Sequence, residues 1–178
     1  VAQAVSRLSA DYPVRMEIRT RPHWARGQAD RYRDMPGVSI DTPQVSTADY
    51  RAWLQEADVV VMAYNFDHRS VEYIRYSFAN KLPECLASGA AVFAYGPDRV
   101  GTMQTLAAVD GVTAVTEEDP DMVLAALKTL IEDAGVRKAA GRKAQDHAFR
   151  VFGLDAMRLT LVRGLTRAAR ARRHAPVN

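Results

Sequence analysis

Ser77, Asn80, Lys81 and Glu84 carry the first chemical signal in this chain, inside the stretch YSFANKLPECLASGAAVFAYGP over residues 76–97. A hydroxyl, an amide and an ammonium at that spacing can donate to a phosphate ester, with a carboxylate close by. The stretch reads as a loop, a short helix opening near Asn80, and a buried strand that ends in a Tyr95-Gly96-Pro97 turn. In a parallel sheet this order sets a helix amino terminus at the carboxyl end of a strand, where free N–H groups meet anions. Glu84 then falls one turn beyond Asn80 on the same helix face. A second set of cations, Arg19, Arg21 and Arg26, follows the alternating stretch VRMEI over 14–18. A phosphate-bearing ligand is the first expectation.

The elements that must hold these residues follow from periodicity and punctuation. A short helix carrying Val1, Val5 and Leu8 leads through Asp11, Tyr12 and Pro13 into a strand over 14–18. Pro36 and Gly37 turn into a strand over 38–40, and Ser46 caps a helix over 48–56 with Asp49 set as in a capping box. Residues 59–63, VVVMA, form the continuous apolar run that parallel sheets bury on both faces. A long polar and aromatic connection over 64–76 precedes a helix over 81–87. A strand over 91–94, a helix over 101–108, a strand over 112–115 and a helix opened by Asp119 and Pro120 come next. Two more helices are expected over 136–149 and 154–172. The alternation predicts an α/β fold, a Rossmann-like doubly wound parallel sheet with right-handed crossovers and a site outside the carboxyl ends of its strands. Residues 1–152 form the expected binding domain, and 153–178 a terminal helix with a frayed basic tail.

Composition bounds the remaining readings. With 178 residues, 48% apolar and 25% charged, the chain matches one ordinary soluble domain. Its apolar runs are far shorter than the roughly 20 residues that span a bilayer, and no signal peptide opens it. The expected location is cytoplasmic, with peripheral contact at the inner membrane surface as an alternative. Cys85 is the single cysteine and reads as a small buried hydrophobe, and the four histidines lack the spacing of zinc ligands. The acidic run over 117–121 resembles a metal motif but suits a helix start. A formal charge of +3 without aromatic interleaving argues against nucleic acid as a partner.

Taken in this order, ADVVVMAY and SFANKLPECLASGAAVFAYGP resemble the carboxyl-terminal nucleotide-sugar-binding domain of GT-B glycosyltransferases, particularly the family-4-like enzymes of glycosyl transferases group 1. In those enzymes a Ser-rich loop leads to a Lys-Leu-x-Glu helix and then Ala-x-Gly, matched here by Lys81, Leu82, Glu84, Ala87 and Gly89. The resemblance implies a nucleoside-diphosphate sugar as donor substrate, linked to UDP, GDP or ADP, with no further cofactor and no metal. It implies that Ser77, Asn80, Lys81 and Leu82 border the diphosphate and that Glu84 accepts from the ribose hydroxyls. Arg21, or Arg26 after it, would stand on the opposite wall, in the loop expected after the first strand. Lys81 and Arg21 would stabilise the charge growing on the departing diphosphate. Where many relatives carry the first glutamate of a pair, this chain has Tyr76, which packs against a sugar face or into the core. A sugar or lipid-linked acceptor would be held by an amino-terminal domain not found among these residues. The stripe of Leu154, Met157, Leu161 and Leu165 would allow weak association between copies. Two other readings remain open: a sugar-nucleotide epimerase of the same architecture, and a non-catalytic nucleotide- or partner-binding module.

Overall fold

A computed structural model describes residues 1–44 and 46–173, excepting the side chains of 171–173. Helices and strands alternate as α1 (Ala2–Leu8), β1 (Met16–Arg19), α2 (Pro22–Tyr32), β2 (Val38–Asp41), α3 (Thr47–Glu56), β3 (Val59–Ala63), α4 (His68–Ile74) and α5 (Leu82–Ala87). They continue as β4 (Ala91–Tyr95), α6 (Gly101–Ala107), β5 (Val112–Val115), α7 (Pro120–Glu132), α8 (Ala134–Phe152) and α9 (Leu154–Arg173). Every strand pairing is parallel: β1 with β2, and β3 with β4 with β5, in two separate ladders. The parallel α/β architecture expected from the sequence is therefore present.

Strand β4 is the centre of the molecule because both of its faces are covered. Val92 and Ala94 point into a cluster with Leu82, Leu86, Met103, Leu106, Ala144 and Ala148. Ala91 and Phe93 point the other way, against Val5, Leu8, Val123, Leu127 and Leu130 from α1 and α7. Burying each of the larger side chains is worth about 1.5–3 kcal/mol. Helix α8 reaches this core through small residues: a Cβ on Gly141 would collide with the carbonyl of Gly89, which itself has a positive φ of 86°. The helix ends are tied by long-range bonds. Gln145 Nε2 donates to the Ala87 carbonyl at 2.9 Å, and Arg137 donates to Leu130 O at 2.7 Å while pairing with Asp58 at 3.1 Å.

Local signals account for most boundaries. Ser46 and Asp49 form the reciprocal capping box, and Asp119 accepts from the N–H groups of Asp121 and Met122, so the acidic run serves a helix start. Four expectations are corrected. The segment after β1 is the helix α2, with Pro22 in its first turn, and buries no side chain. The connection over 64–76 contains α4, capped by Asp67, which accepts from the Ser70 N–H at 3.0 Å. Helix α5 opens at Leu82, because Asn80 and Lys81 lie in a turn. The basic tail expected to fray is helical up to Arg173, in line with the helix expected over 154–172; residues 174–178 lie outside the described residues.

Candidate functional site

In a parallel ladder the helix that precedes a strand runs antiparallel to it, so the start of α5 lies at the carboxyl edge of β4. The turn before it presents the exposed Lys81 and Asn80, and Glu84 is exposed in the first turn of α5. Lys81 Nζ sits 5.3 Å from the ring centroid of Tyr50 on α3. Tyr50 lies 6.3 Å from Trp53, and the Arg19 guanidinium covers Trp53 at 4.4 Å. Trp53 Nε1 in turn donates to Glu17 Oε2 at 3.0 Å. An aromatic pair on α3 thus bridges the end of β1 and the start of α5, with a cation at each end. Burial, then the neighbouring Cys85 and Glu84, pushes the Tyr50 phenol up to about 12, so it stays neutral over Lys81 at ordinary pH.

The loop before this turn is held from the side by α6. Thr102, only 1% exposed, donates its hydroxyl to the Ser77 carbonyl at 3.0 Å and accepts from the Ala79 N–H at 3.0 Å. The Gly101 N–H donates to the Arg75 carbonyl at 2.9 Å. These bonds satisfy backbone groups that a free loop would leave to water. Beside the tether lies a surface cavity of about 360 Å³ lined by Arg75, Tyr76, Arg99, Gly101 and Gln104. At the strand end, Gly96 is required because a Cβ there would stand 2.8 Å from the Cβ of Tyr64.

The sequence-predicted residues separate into three groups. Lys81 and Glu84 come together beside Tyr50, with Asn80 preceding them in the turn. Among the described residues neither Lys81 nor Glu84 enters an ion pair. Ser77 and Tyr76 belong to the tethered loop: Ser77 uses its carbonyl on Thr102, and Tyr76 is 89% exposed with Arg75 5.4 Å from its ring, which excludes the core alternative for it. Arg21 and Arg26 form the third group, exposed on α2, with Arg21 as its N-cap residue. Arg19, at the end of β1, is the arginine that the aromatic bridge connects towards Lys81.

Leu82 is a correction. It is fully buried and its N–H is spent on the Ala79 carbonyl at 2.9 Å, so it anchors α5 in the core instead of bordering a ligand. The helix start is also poorer in donors than a free amino terminus, since Pro83 has no N–H. The donors left free at this edge therefore belong mainly to side chains. Sequence reasoning missed Tyr50, Trp53 and Thr102. The i, i+3 aromatic spacing on α3 was the available signal for the first two, while Thr102 gave none. Among the described residues no group of three or more His, Cys, Asp or Glu is placed to hold a metal ion, and no helix is long and apolar enough to cross a membrane.

No protein-family profile matches the sequence, and no curated protein does. Solved structures do. Sucrose-phosphate synthase from Thermosynechococcus elongatus matches 96% of this chain over 42% of its own, with a TM-score of 0.69 and 16% identity. The α,α-trehalose 6-phosphate synthase from Burkholderia multivorans matches 99% of this chain over 41% of its own, at TM-score 0.66 and 16% identity. The carboxyl-terminal domain of a glycosyl transferase group 1 family protein, LpcC, from Francisella tularensis matches 86% of this chain over 77% of its own, at TM-score 0.65 and 15% identity. The chain spans less than half the length of the first two. At these identities the likeness is one of architecture: the chain has the fold of one domain of the GT-B glycosyltransferases, the carboxyl-terminal domain in the case of LpcC.

Proposed function

We propose that this chain is the donor-binding part of a glycosyltransferase that uses a nucleoside-diphosphate sugar. The observation that carries the reading is the pair of exposed residues Lys81 and Glu84 set beside Tyr50 at the start of α5, on a fold shared with glycosyltransferases. A cation and a carboxylate so close can divide one ligand between them: Lys81 takes the diphosphate, and Glu84 accepts two hydrogen bonds from the vicinal ribose hydroxyls. Arg19 or Arg21 at the end of β1 supplies charge from the other side. When the bond from the anomeric carbon to the diphosphate oxygen breaks, negative charge collects on that oxygen, and these cations stabilise it more than they stabilise the ground state. The acceptor, a sugar or lipid-linked molecule, then binds outside this domain.

Calorimetric titration of the chain with UDP, GDP and ADP and their sugars tests the reading. One nucleotide series should bind, and Lys81→Ala or Glu84→Ala should weaken it roughly 10- to 100-fold, the worth of one charge-assisted contact. In the whole enzyme Lys81→Ala should lower kcat by about 10²–10³-fold. A folded wild-type chain that binds none of these nucleotides would sink the proposal and favour a non-catalytic interaction module.

A further inference from the structure

The cavity of about 360 Å³ beside the tethered loop is lined by Arg75, Tyr76, Arg99, Gly101 and Gln104, with no carboxylate among them. Its two guanidinium groups come from different segments. Arg75 is the C-cap residue of α4, and Arg99 lies in the turn between β4 and α6. Acidic neighbours stand close in sequence, Glu72 one turn before Arg75 and Asp98 next to Arg99. Yet among the described residues neither arginine enters an ion pair, and Glu72 turns to His68 at 3.9 Å. Two like charges on one cavity wall repel each other, and an anion bound between them reverses the sign of that interaction.

The framework under the cavity is fixed without a ligand. The Gly101 N–H donates to the Arg75 carbonyl at 2.9 Å, and the Thr102 hydroxyl joins Ser77 O and the Ala79 N–H at 3.0 Å each. A Cβ on Gly101 would stand 3.3 Å from that Arg75 oxygen, so glycine permits the two arginine-bearing segments to approach. These bonds spend the Gly101 N–H on the protein itself, which leaves anion recognition to side chains. Arginine suits the task because its planar fork matches the paired oxygens of a phosphate or carboxylate. Gln104 adds an amide that donates and accepts, as a hydroxyl group requires. Tyr76, 89% exposed and with the Arg75 guanidinium 5.4 Å from its ring, adds a flat apolar face. The volume lies within the roughly 300–1,000 Å³ that small-molecule pockets occupy. An anionic group, hydroxyls and an apolar ring face occur together in an acidic sugar.

We infer that this cavity binds a sugar bearing a phosphate or carboxylate substituent, with Arg75 and Arg99 on the anion, Gln104 on the hydroxyls and Tyr76 against the ring. The inference rests on the proposed function in one respect: because the acceptor is assigned outside this domain, the acidic sugar is the one that the donor carries. The cavity lies at the carboxyl edge of β4, the edge that also bears the Lys81 turn, and only residues 76–80 separate Arg75 from Lys81 in the chain. One ligand then meets two cationic positions, its diphosphate at Lys81 and its acidic substituent at Arg75 and Arg99.

Nuclear magnetic resonance titration with glucose 6-phosphate, glucuronate, glucose and inorganic phosphate, all without nucleotide, tests the cavity by itself. One or both acidic sugars should shift the side-chain resonances of Arg75 and Arg99 saturably, the stronger of the two identifying the anion, while glucose leaves them in place. Arg75→Gln with Arg99→Gln, both on the surface, should weaken that binding at least 10-fold. No saturable shift, or equal affinity in the double variant, would overturn the inference. Inorganic phosphate binding as tightly as glucose 6-phosphate would overturn its assignment to a sugar. In whichever nucleotide series binds, the uronic acid derivative should bind about 10-fold more tightly than the neutral sugar derivative, and the double variant should lose that preference; equal affinities in the wild type would remove the acidic sugar from the donor. Absence of all nucleotide binding would sink the proposed function alone, since the free sugars still decide whether the cavity takes an acidic sugar.

Discussion

Thr102 shows how a single hydroxyl fixes the loop that carries the candidate site. It bonds a carbonyl and an N–H of that loop from a position with 1% exposure, so Thr102→Val leaves Ser77 O and Ala79 N–H without partners. The expected cost is about 1–3 kcal/mol, read as a lower urea midpoint at unchanged m-value, together with weaker nucleotide binding. Cys85 and Tyr50 set the response to alkali. Burial pushes the Cys85 thiol up to about 11 and the Tyr50 phenol up to about 12. In both cases the folded state holds the proton more tightly than the unfolded chain does. Stability is therefore complete below pH 9 and falls as pH rises from about 9 through 11 for the thiol and from about 10 through 12 for the phenol. Thermal unfolding across pH 8–12 should show this, and Tyr50→Phe should remove the upper part of the decline. A midpoint that holds constant to pH 12 would contradict the burial of both groups. Lys81 and Glu84 were readable as a cation and a carboxylate at one helix start from residue type and spacing, while the roles suggested for them came from the resemblance. Leu82 was misread because the motif reading carried no measure of burial, and α5 turns that side chain inward.

At the scale of elements, two glycines predict opposite outcomes for the same substitution. Gly141→Ala forces a methyl into the Gly89 carbonyl at the α5–β4 turn and should destabilise by about 1–3 kcal/mol. Gly164→Ala, in a helix with no atom within 4 Å of the added carbon, should stabilise by about 0.5–1 kcal/mol through helix propensity. Chemical denaturation of the two variants checks both signs. The elements themselves were legible where burial imposes a period or a cap marks a boundary. Strand β3 and helix α7 are such cases, with VVVMA continuous and Asp119 followed by Pro120. Helices α2 and α4 were not legible for the same physical reason: α2 buries nothing and α4 buries only Val71, so neither shows an apolar stripe. Their start signals, Pro22 and Asp67, were present without that support.

For the whole molecule, α9 matters most to behaviour in solution. Leu154, Met157, Leu161 and Leu165 are each more than half exposed, along one side of a helix whose other side carries Arg163, Arg167 and Arg170. The chain alone should self-associate at high concentration through this stripe, and Leu161→Glu with Leu165→Glu should return it to a monomer in sedimentation velocity. Concentration-independent monomer for the wild type would refute this.

What the sequence by itself determined was local: the order of the strands and of most helices, the caps at Ser46 and Asp119, the apolar runs at β3 and β4, and the polar residues gathered between them. Such features depend on neighbours within about one helical turn or on strand alternation, and so they are written in consecutive residues. Tertiary structure decided the partnerships. Lys81 meets Tyr50, Arg19 meets Trp53, and Thr102 meets Ser77 across separations of 25 residues or more. Those contacts depend on sheet register and on which helix crosses which strand, quantities set by packing of the whole core and not carried by any short window of the chain.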